Sequence, residues 1–362
     1  MPARPSIKDV ADRAGVSVGT VSNVLNRPHL VQPATLAKVR RVIDQLGFVR
    51  NESARQLRAG RSRTIGLVVL DVANPFFTDV ARGVEDAASE VGMAVVLCNS
   101  DDRLEKEQRY LQLLAELRVS GVLIVPVDGA DEQLAYLRRQ GISAVLLDRK
   151  ARLKSQCSVS VDDVAGGRMA AAHLLERGHR RLAFVGDHRG IPQVADRLRG
   201  AHAALKAAGV DPASLLVIDD APQTVAGGRS AARRIADQAQ TRRPTAAFCS
   251  NDLIALGMQQ ECSLLGLAVP EQLAIVGYDD IELVAAPATP LSSVRQPRQE
   301  LGREAARLLI EEASGDPAHR HRQLVFEPEL IVRDSSAARR SRKVSAGARG
   351  GLSSRNDLRA TS

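Results

Sequence analysis

Several apolar runs in this chain end in short polar side chains. Asp71, Asn99, Asp101, Asp148, Asp187, Asn251 and Asp279 close the stretches "VVLD", "LCNSD", "LLD", "FVGD", "FCSND" and "GYDD". Short carboxylates and amides accept and donate paired hydrogen bonds, so several of them brought to one cleft suit a hydroxyl-rich ligand. Taken singly, each is more commonly a loop residue or a helix N-cap. Asp279 and Asp280 could be read as the paired carboxylates of a sugar-cleaving enzyme. However, adjacent residues at a strand end point in different directions. No phosphate-binding glycine loop or nucleophile motif accompanies them either. The chemistry expected is binding, not catalysis.

The runs themselves, "TIGLVVL", "MAVVLCN", "GVLIVPV", "SAVLLD", "RLAFVGD", "LLVIDD", "TAAFCSND" and "LAIVGYDD", alternate with amphipathic segments such as "FTDVARGVEDAASEVG" and "AGGRMAAAHLLERG". Strand–helix alternation implies parallel sheets covered by helices. The stretch is too long for one sheet, so two lobes are expected, with ligand beyond the carboxyl ends of the strands.

Charge divides the chain further. Residues 1–61 carry 11 Lys and Arg against 4 Asp and Glu, and residues 333–362 carry 8 against 2, while the whole chain is only +8. Two basic ends therefore flank an acidic middle, which suits a polyanionic partner such as nucleic acid. The four cysteines, Cys98, Cys157, Cys249 and Cys262, lack C-x-x-C spacing and read as free thiols; no metal site and no cofactor are expected. The N-terminus has no apolar signal region, and no run approaches the ~18 residues that span a bilayer. A cytoplasmic protein with no membrane partner is expected.

The basic N-terminus reads as three short helices. Ser6 with Asp9 forms a capping-box-like start, and Gly15 ends the first helix. Ser17 can cap the second, "VGTVSNVLN", and Pro33 opens the third, which runs to Gly47. On a helical wheel Val21, Val24 and Leu25 share a narrow apolar face, whereas Val18, Gly19, Ser22 and Asn23 lie roughly opposite. An outward face of small residues can press against something broad, such as a DNA major groove.

"IKDVADRAGVSVGTVSNVLN" and "VQPATLAKVRRVIDQLGFVRNESARQLRAG" closely resemble the DNA-binding headpiece of the LacI/GalR family of bacterial transcription regulators. The likeness continues through "NPFF", "RVSGVLIVP", "HLLERGHRRLAFVGD", "DRLRG", "RPTAAFCSNDLIALG", "VPEQLAIVGYDDIE" and "TPLSSVRQP", to about residue 333. It implies a helix-turn-helix whose second helix enters the major groove. Val18, Gly19 and Asn23 match base-reading positions, and Ser17, Thr20 and Ser22 match phosphate-holding ones. An amide such as Asn23 pairs with adenine, and Val18 can touch a thymine methyl. Residues 51–59, "NESARQLRA", match the family's hinge helix, which is shorter than the roughly 12–15 residues that are marginal alone in water. Leu57 matches the leucine wedged into the minor groove, with Arg55 and Arg58 beside the backbone. Asp148, Arg197, Asn251 and Asp279 match effector-contacting positions, and Phe76 an apolar wall.

The resemblance thus implies an α/β fold with a two-lobed, periplasmic-binding-protein-like core and an all-α helix-turn-helix headpiece. The expected divisions are 1–50 for the headpiece, 51–61 for the hinge, 62–333 for the core, and 334–362 for a disordered basic tail. Within the core, one lobe is expected at about 62–162 and 292–322, the other at about 163–291 and 323–333. The implied function is a ligand-responsive repressor that binds a pseudo-palindromic double-stranded operator as a homodimer, since no leucine heptads follow the core. Gln193, where Ser or Thr is usual, and Ala201, where an aromatic is common, depart from the family pattern. "GYDDIELVAAPATP" resembles sugar-responsive members, although purine-responsive co-repressed members share the framework. A sugar-binding protein of a transport system would share the core but not the headpiece.

Overall fold

The computed structural model describes residues 5–48, 62–127 and 130–337. The chain divides into two compact units between Ser62 and Arg63. Among the described residues there are eleven α-helices and twelve strands.

The first unit holds α1 (Ile7–Ala14), α2 (Val18–Asn26) and α3 (Pro33–Leu46). Ser6 and Asp9 form the expected capping box, and Gly15 and Gly47 close α1 and α3 in the left-handed conformation, at φ 62° and 60°. The core is aliphatic: Val10, Ala11 and Ala14 of α1 meet Val21 and Val24 of α2 and Val39 and Val42 of α3.

The second unit contains two α/β lobes. The first sheet runs β11-β5-β4-β3-β1-β2, from strands β1 (Thr64–Val69), β2 (Ala94–Asn99), β3 (Gly121–Ile124), β4 (Ser143–Leu147), β5 (Ser158–Val161) and β11 (Gln323–Phe326). All its pairings are parallel. Along β1 the faces alternate. Ile65, Leu67 and Val69 join the core under α4 (Pro75–Glu90) and α11 (Arg298–Ala313), whereas Val68 joins Leu111, Leu114, Leu134 and Leu137 on the opposite face. The helices there are α5 (Leu104–Glu116) and α6 (Ala130–Arg139).

The second sheet runs β12-β10-β9-β8-β6-β7, built from β6 (Leu182–Val185), β7 (Leu216–Ile218), β8 (Ala246–Cys249), β9 (Ala274–Asp279), β10 (Ser292–Arg295) and β12 (Glu329–Ile331). Only β12 is antiparallel. Four helices cover it: α7 (Asp163–Glu176), α8 (Pro192–Ala207), α9 (Val225–Ala236) and α10 (Asp252–Leu264).

Two expected boundaries change. Residues 292–295 belong to the second lobe and 323–326 to the first, because β10 pairs with β9 and β11 with β5. The chain therefore crosses between lobes three times, after β5, β10 and β11. The expected tail also begins later than residue 334. Ser335 Oγ donates to Ile275 O at 2.6 Å and accepts from Ser292 N at 2.8 Å, and Ser336 Oγ lies 2.8 Å from His173 Nε2. Both serines are buried in the second lobe. Residues 49–61 and 338–362, with the hinge and the rest of the tail, lie outside the described residues.

Gly19 sits in the exposed first turn of α2, where an added Cβ would meet only Ser17 Oγ at 3.6 Å, an ordinary contact. Gly19→Ala should therefore stabilise the headpiece by up to about 1 kcal/mol, read as a raised unfolding midpoint of the isolated unit. If operator affinity falls despite that gain, the glycine serves close approach to DNA. Unchanged or tighter binding would refute that role.

Candidate functional site

Two surfaces carry the expected chemistry. On α2, Ser17 is the N-cap: its Oγ accepts from Thr20 N at 3.1 Å and lies 2.9 Å from Thr20 Oγ1. Val18 is 43% exposed although apolar, and Gly19 and Asn23 are exposed beside it. Asn26 Nδ2 donates to Ser22 O at 2.8 Å and Ser22 Oγ at 3.2 Å. The α2 residues read from the wheel thus form one exposed polar face with a single apolar point. Arg55, Leu57 and Arg58 lie outside the described residues.

The second surface is a cavity of about 720 Å³ between the lobes, and Phe76, Asp148, Arg197, Asn251 and Asp279 all line it. It opens where both sheets reverse strand order, β1 beside β3 and β6 beside β8, as ligand sites in such sheets do. Asp71 and Asp187 also reach it. Asn99 and Asp101 do not: Asn99 Oδ1 accepts from Val72 N at 3.2 Å, its Nδ2 donates to Asp101 Oδ1 at 2.6 Å, and Asp101 pairs with Lys106.

Arg197, on α8, is the electrostatic centre. Its Nε donates to Asp163 Oδ1 and an Nη to Ser250 O, at 2.7 and 2.6 Å, and its guanidinium lies 3.7 Å over the Tyr278 ring. Burial alone would lower its pKa, but the Asp163 carboxylate and neighbouring acids hold it above the ordinary arginine value. The position depends on backbone contact between α7 and α8: a Cβ on Gly167 would fall 2.0 Å from Arg197 O, and one on Gly200 2.1 Å from Val164 O.

Around this cation the acids are crowded. Burial, then the Asp163 charge, push Asp148 well above the usual carboxylate range, and burial pushes Asp279 up to about 6. Both are acids whose pKa is higher folded than unfolded. They stabilise the ligand-free fold at low pH, and for Asp279 that contribution is lost as pH rises from about 3.8 through 6. Asp148 Oδ2 and its carbonyl accept from Gln193 Nε2, at 3.2 and 2.6 Å, across the cleft from α8. Asp148 Oδ1 is buried with no hydrogen-bond partner. Asp279 Oδ1 accepts from Gln296 Nε2 at 2.8 Å. Asn251 lines the cleft and also caps α10, where its Oδ1 accepts from Ile254 N at 2.9 Å. Its position at the cleft and its cap are thus compatible.

Sequence reasoning missed Asp163 and gave Gln193 no role. The signal for Asp163 was "VDDV": Asp162 caps α7 through Ala165 N, so the second aspartate is surplus to capping and needs another partner. A grouping not read from the sequence is that of Cys157, Glu312, His319 and His321 in the first lobe, two of which stand two positions apart in the chain.

A helix-turn-helix unit followed by a two-lobed cleft defines a ligand-controlled DNA-binding regulator. Residues 6–51 match bacterial regulatory proteins of the lacI family, and residues 171–336 a periplasmic binding protein-like domain. The HTH-type transcriptional repressor PurR of Vibrio vulnificus is 35% identical over 332 residues, which cover 91% of this chain and 98% of the relative. The transcriptional regulator CelR in complex with cellobiose is 34% identical, with a TM-score of 0.67 over 92% of this chain and all of that one. The lac repressor dimer bound to operator and the anti-inducer ONPF is 25% identical, with a TM-score of 0.80 over 93% and 100%. The chain belongs to the lacI family, and it is a DNA-binding transcriptional regulator rather than an enzyme.

Asp148 has φ 53°, a conformation asparagine tolerates well. Asp148→Asn should raise the melting temperature of the ligand-free core at pH 7, because it removes a buried carboxylate that burial and Asp163 oppose. The same change should weaken binding of a stabilising sugar about 2- to 10-fold, the worth of one ordinary hydrogen bond. Calorimetric titration and melting of the same variant check both; unchanged affinity would remove Asp148 from the site.

Proposed function

We propose that the chain represses transcription as a homodimer on a pseudo-palindromic operator, under the control of a small sugar-like ligand bound between the lobes. On α2, Asn23 and Val18 read base edges, while Ser17, Thr20 and Ser22 hold phosphates. In the cleft, Asp148, Asp279 and Asn251 bond the ligand's hydroxyls, Arg197 donates to a ring or hydroxyl oxygen, and Phe76 covers an apolar face. The protein works in the cytoplasm, where operator DNA lies.

The observation that carries the sugar reading is the buried, unpartnered Oδ1 of Asp148 at the cavity wall. A hydroxyl placed there would donate to it and relieve a costly buried acceptor. The CelR complex with cellobiose is consistent with such a ligand. The PurR relative favours a second reading, a purine co-repressor. A purine ring wants aromatic faces, but Tyr278 is fully buried beneath Arg197, so among the described residues the aromatic side chains lining the cleft are Phe76 and Phe77.

A thermal-shift screen of the full chain against mono- and disaccharides and purine bases tests this. The duplex for binding assays is one selected from a random-sequence pool. A sugar should raise the melting temperature and change duplex affinity. If only a purine base does both, the ligand class is wrong; a stabilising sugar that leaves duplex affinity untouched would break the proposed control.

A further inference from the structure

The cluster of Cys157, Glu312, His319 and His321 lies apart from the cleft. Cys157 immediately precedes β5, Glu312 is in the last turn of α11, and the histidines sit in the segment that leads into β11. The cleft occupies the carboxyl ends of the strands, and this cluster lies at the starts of β5 and β11, at the opposite end of the first sheet.

Its geometry is that of a coordination shell. Cys157 Sγ lies 3.5 Å from His319 Nε2 and 3.5 Å from His321 Nδ1. Glu312 Oε2 lies 3.8 Å from His319 Nε2 and 3.7 Å from His321 Nδ1, beyond hydrogen-bond reach of either, and the atom is buried. All four donor atoms fall within 4.8 Å of one another. A tetrahedral zinc ion with Zn–S of about 2.3 Å and Zn–N of about 2.0–2.1 Å sets its sulfur and nitrogen ligands about 3.5 Å apart. The sulfur–nitrogen distances already match. The carboxylate would close in by a few tenths of an ångström.

The surroundings support the same reading. The two imidazoles stand edge to face at 89°, and they turn different ring nitrogens, His319 Nε2 and His321 Nδ1, toward Cys157 Sγ. His319 turns its other nitrogen, Nδ1, to Glu311 Oε1 at 3.4 Å, and Glu311 is held in turn by Arg322. A carboxylate behind a ligating histidine fixes its tautomer and orientation. Cys157 is fully buried, while His321 is partly exposed and leaves a route for entry.

We propose that Cys157, Glu312, His319 and His321 form a tetrahedral binding site for a divalent transition cation of the zinc class. One thiolate and two imidazoles select such an ion over magnesium or calcium, which prefer oxygen donors. Occupancy would pin the segment between α11 and β11 to the start of β5, two neighbouring strands that each lead into a lobe crossing.

The test uses the purified full chain, stripped with chelator and titrated with Co²⁺ as a spectroscopic stand-in, then with Zn²⁺. The site predicts one equivalent of Co²⁺ per chain, with a thiolate-to-cobalt charge-transfer band and tetrahedral visible bands that Zn²⁺ abolishes. Cys157→Ser should lose the charge-transfer band. Because Cys157 is buried, the partly exposed His321→Ala serves as a second variant whose folding circular dichroism can verify. It should bind at least about tenfold more weakly. Absence of the charge-transfer band in the wild-type chain, or a band that persists unchanged in both variants, would overturn the proposal.

Discussion

A single buried cation organises the ligand-binding half of this protein. Arg197 cannot leave its charge unpaired in a dry interior, where a lone buried ion costs several kcal/mol. Asp163 answers it directly from the first turn of α7, and Tyr278 offers its ring face. That pairing needs α7 and α8 in backbone contact, which the facing glycines at 167 and 200 permit. Burial pushes Asp148 and Asp279 beside this pair toward holding protons, and the Asp163 charge adds to the push on Asp148. The cleft is therefore stable but under-satisfied, and donors on a ligand would complete it.

The same residues link the lobes. Gln193 reaches from α8 of the second lobe to Asp148 of the first. Arg298, at the start of α11, pairs with Asp79 at 2.8 Å and donates to the carbonyls of Asp279 and Asp280 at the end of β9. Three chain crossings and these side chains are the means by which a ligand could favour one lobe arrangement over another. It does so only to the extent that it binds the two arrangements with different affinity.

Much of this was legible in the sequence because the signals are local. Capping side chains, left-handed glycines and the wheel position of Val21 and Val24 fix the headpiece without long-range information. Strand-end acids are visible wherever an apolar run precedes them. The four strands that were not read, β5, β10, β11 and β12, are short. The first two are "SVSV" and "SSVR", whose buried serines stand where apolar side chains would mark a strand. Ser293 Oγ donates to Asp252 Oδ1 at 2.7 Å and Ser292 Oγ to Arg333 O at 3.0 Å. These strands flank the lobe crossings, so missing them also misplaced the lobe boundaries. Asp163 and the Cys157 cluster depend on partners 34 to 164 positions away, so local patterns such as "VDDV" show only that a partner is needed, not which one.

Control by a ligand requires that occupancy of the cleft and binding of DNA form one linked equilibrium. The most direct measurement is calorimetric titration of the sugar into the full chain, with and without saturating operator duplex. The duplex is expected to change sugar affinity by the same factor by which the sugar changes duplex affinity, as linkage requires. Equal sugar affinity in both titrations would contradict it.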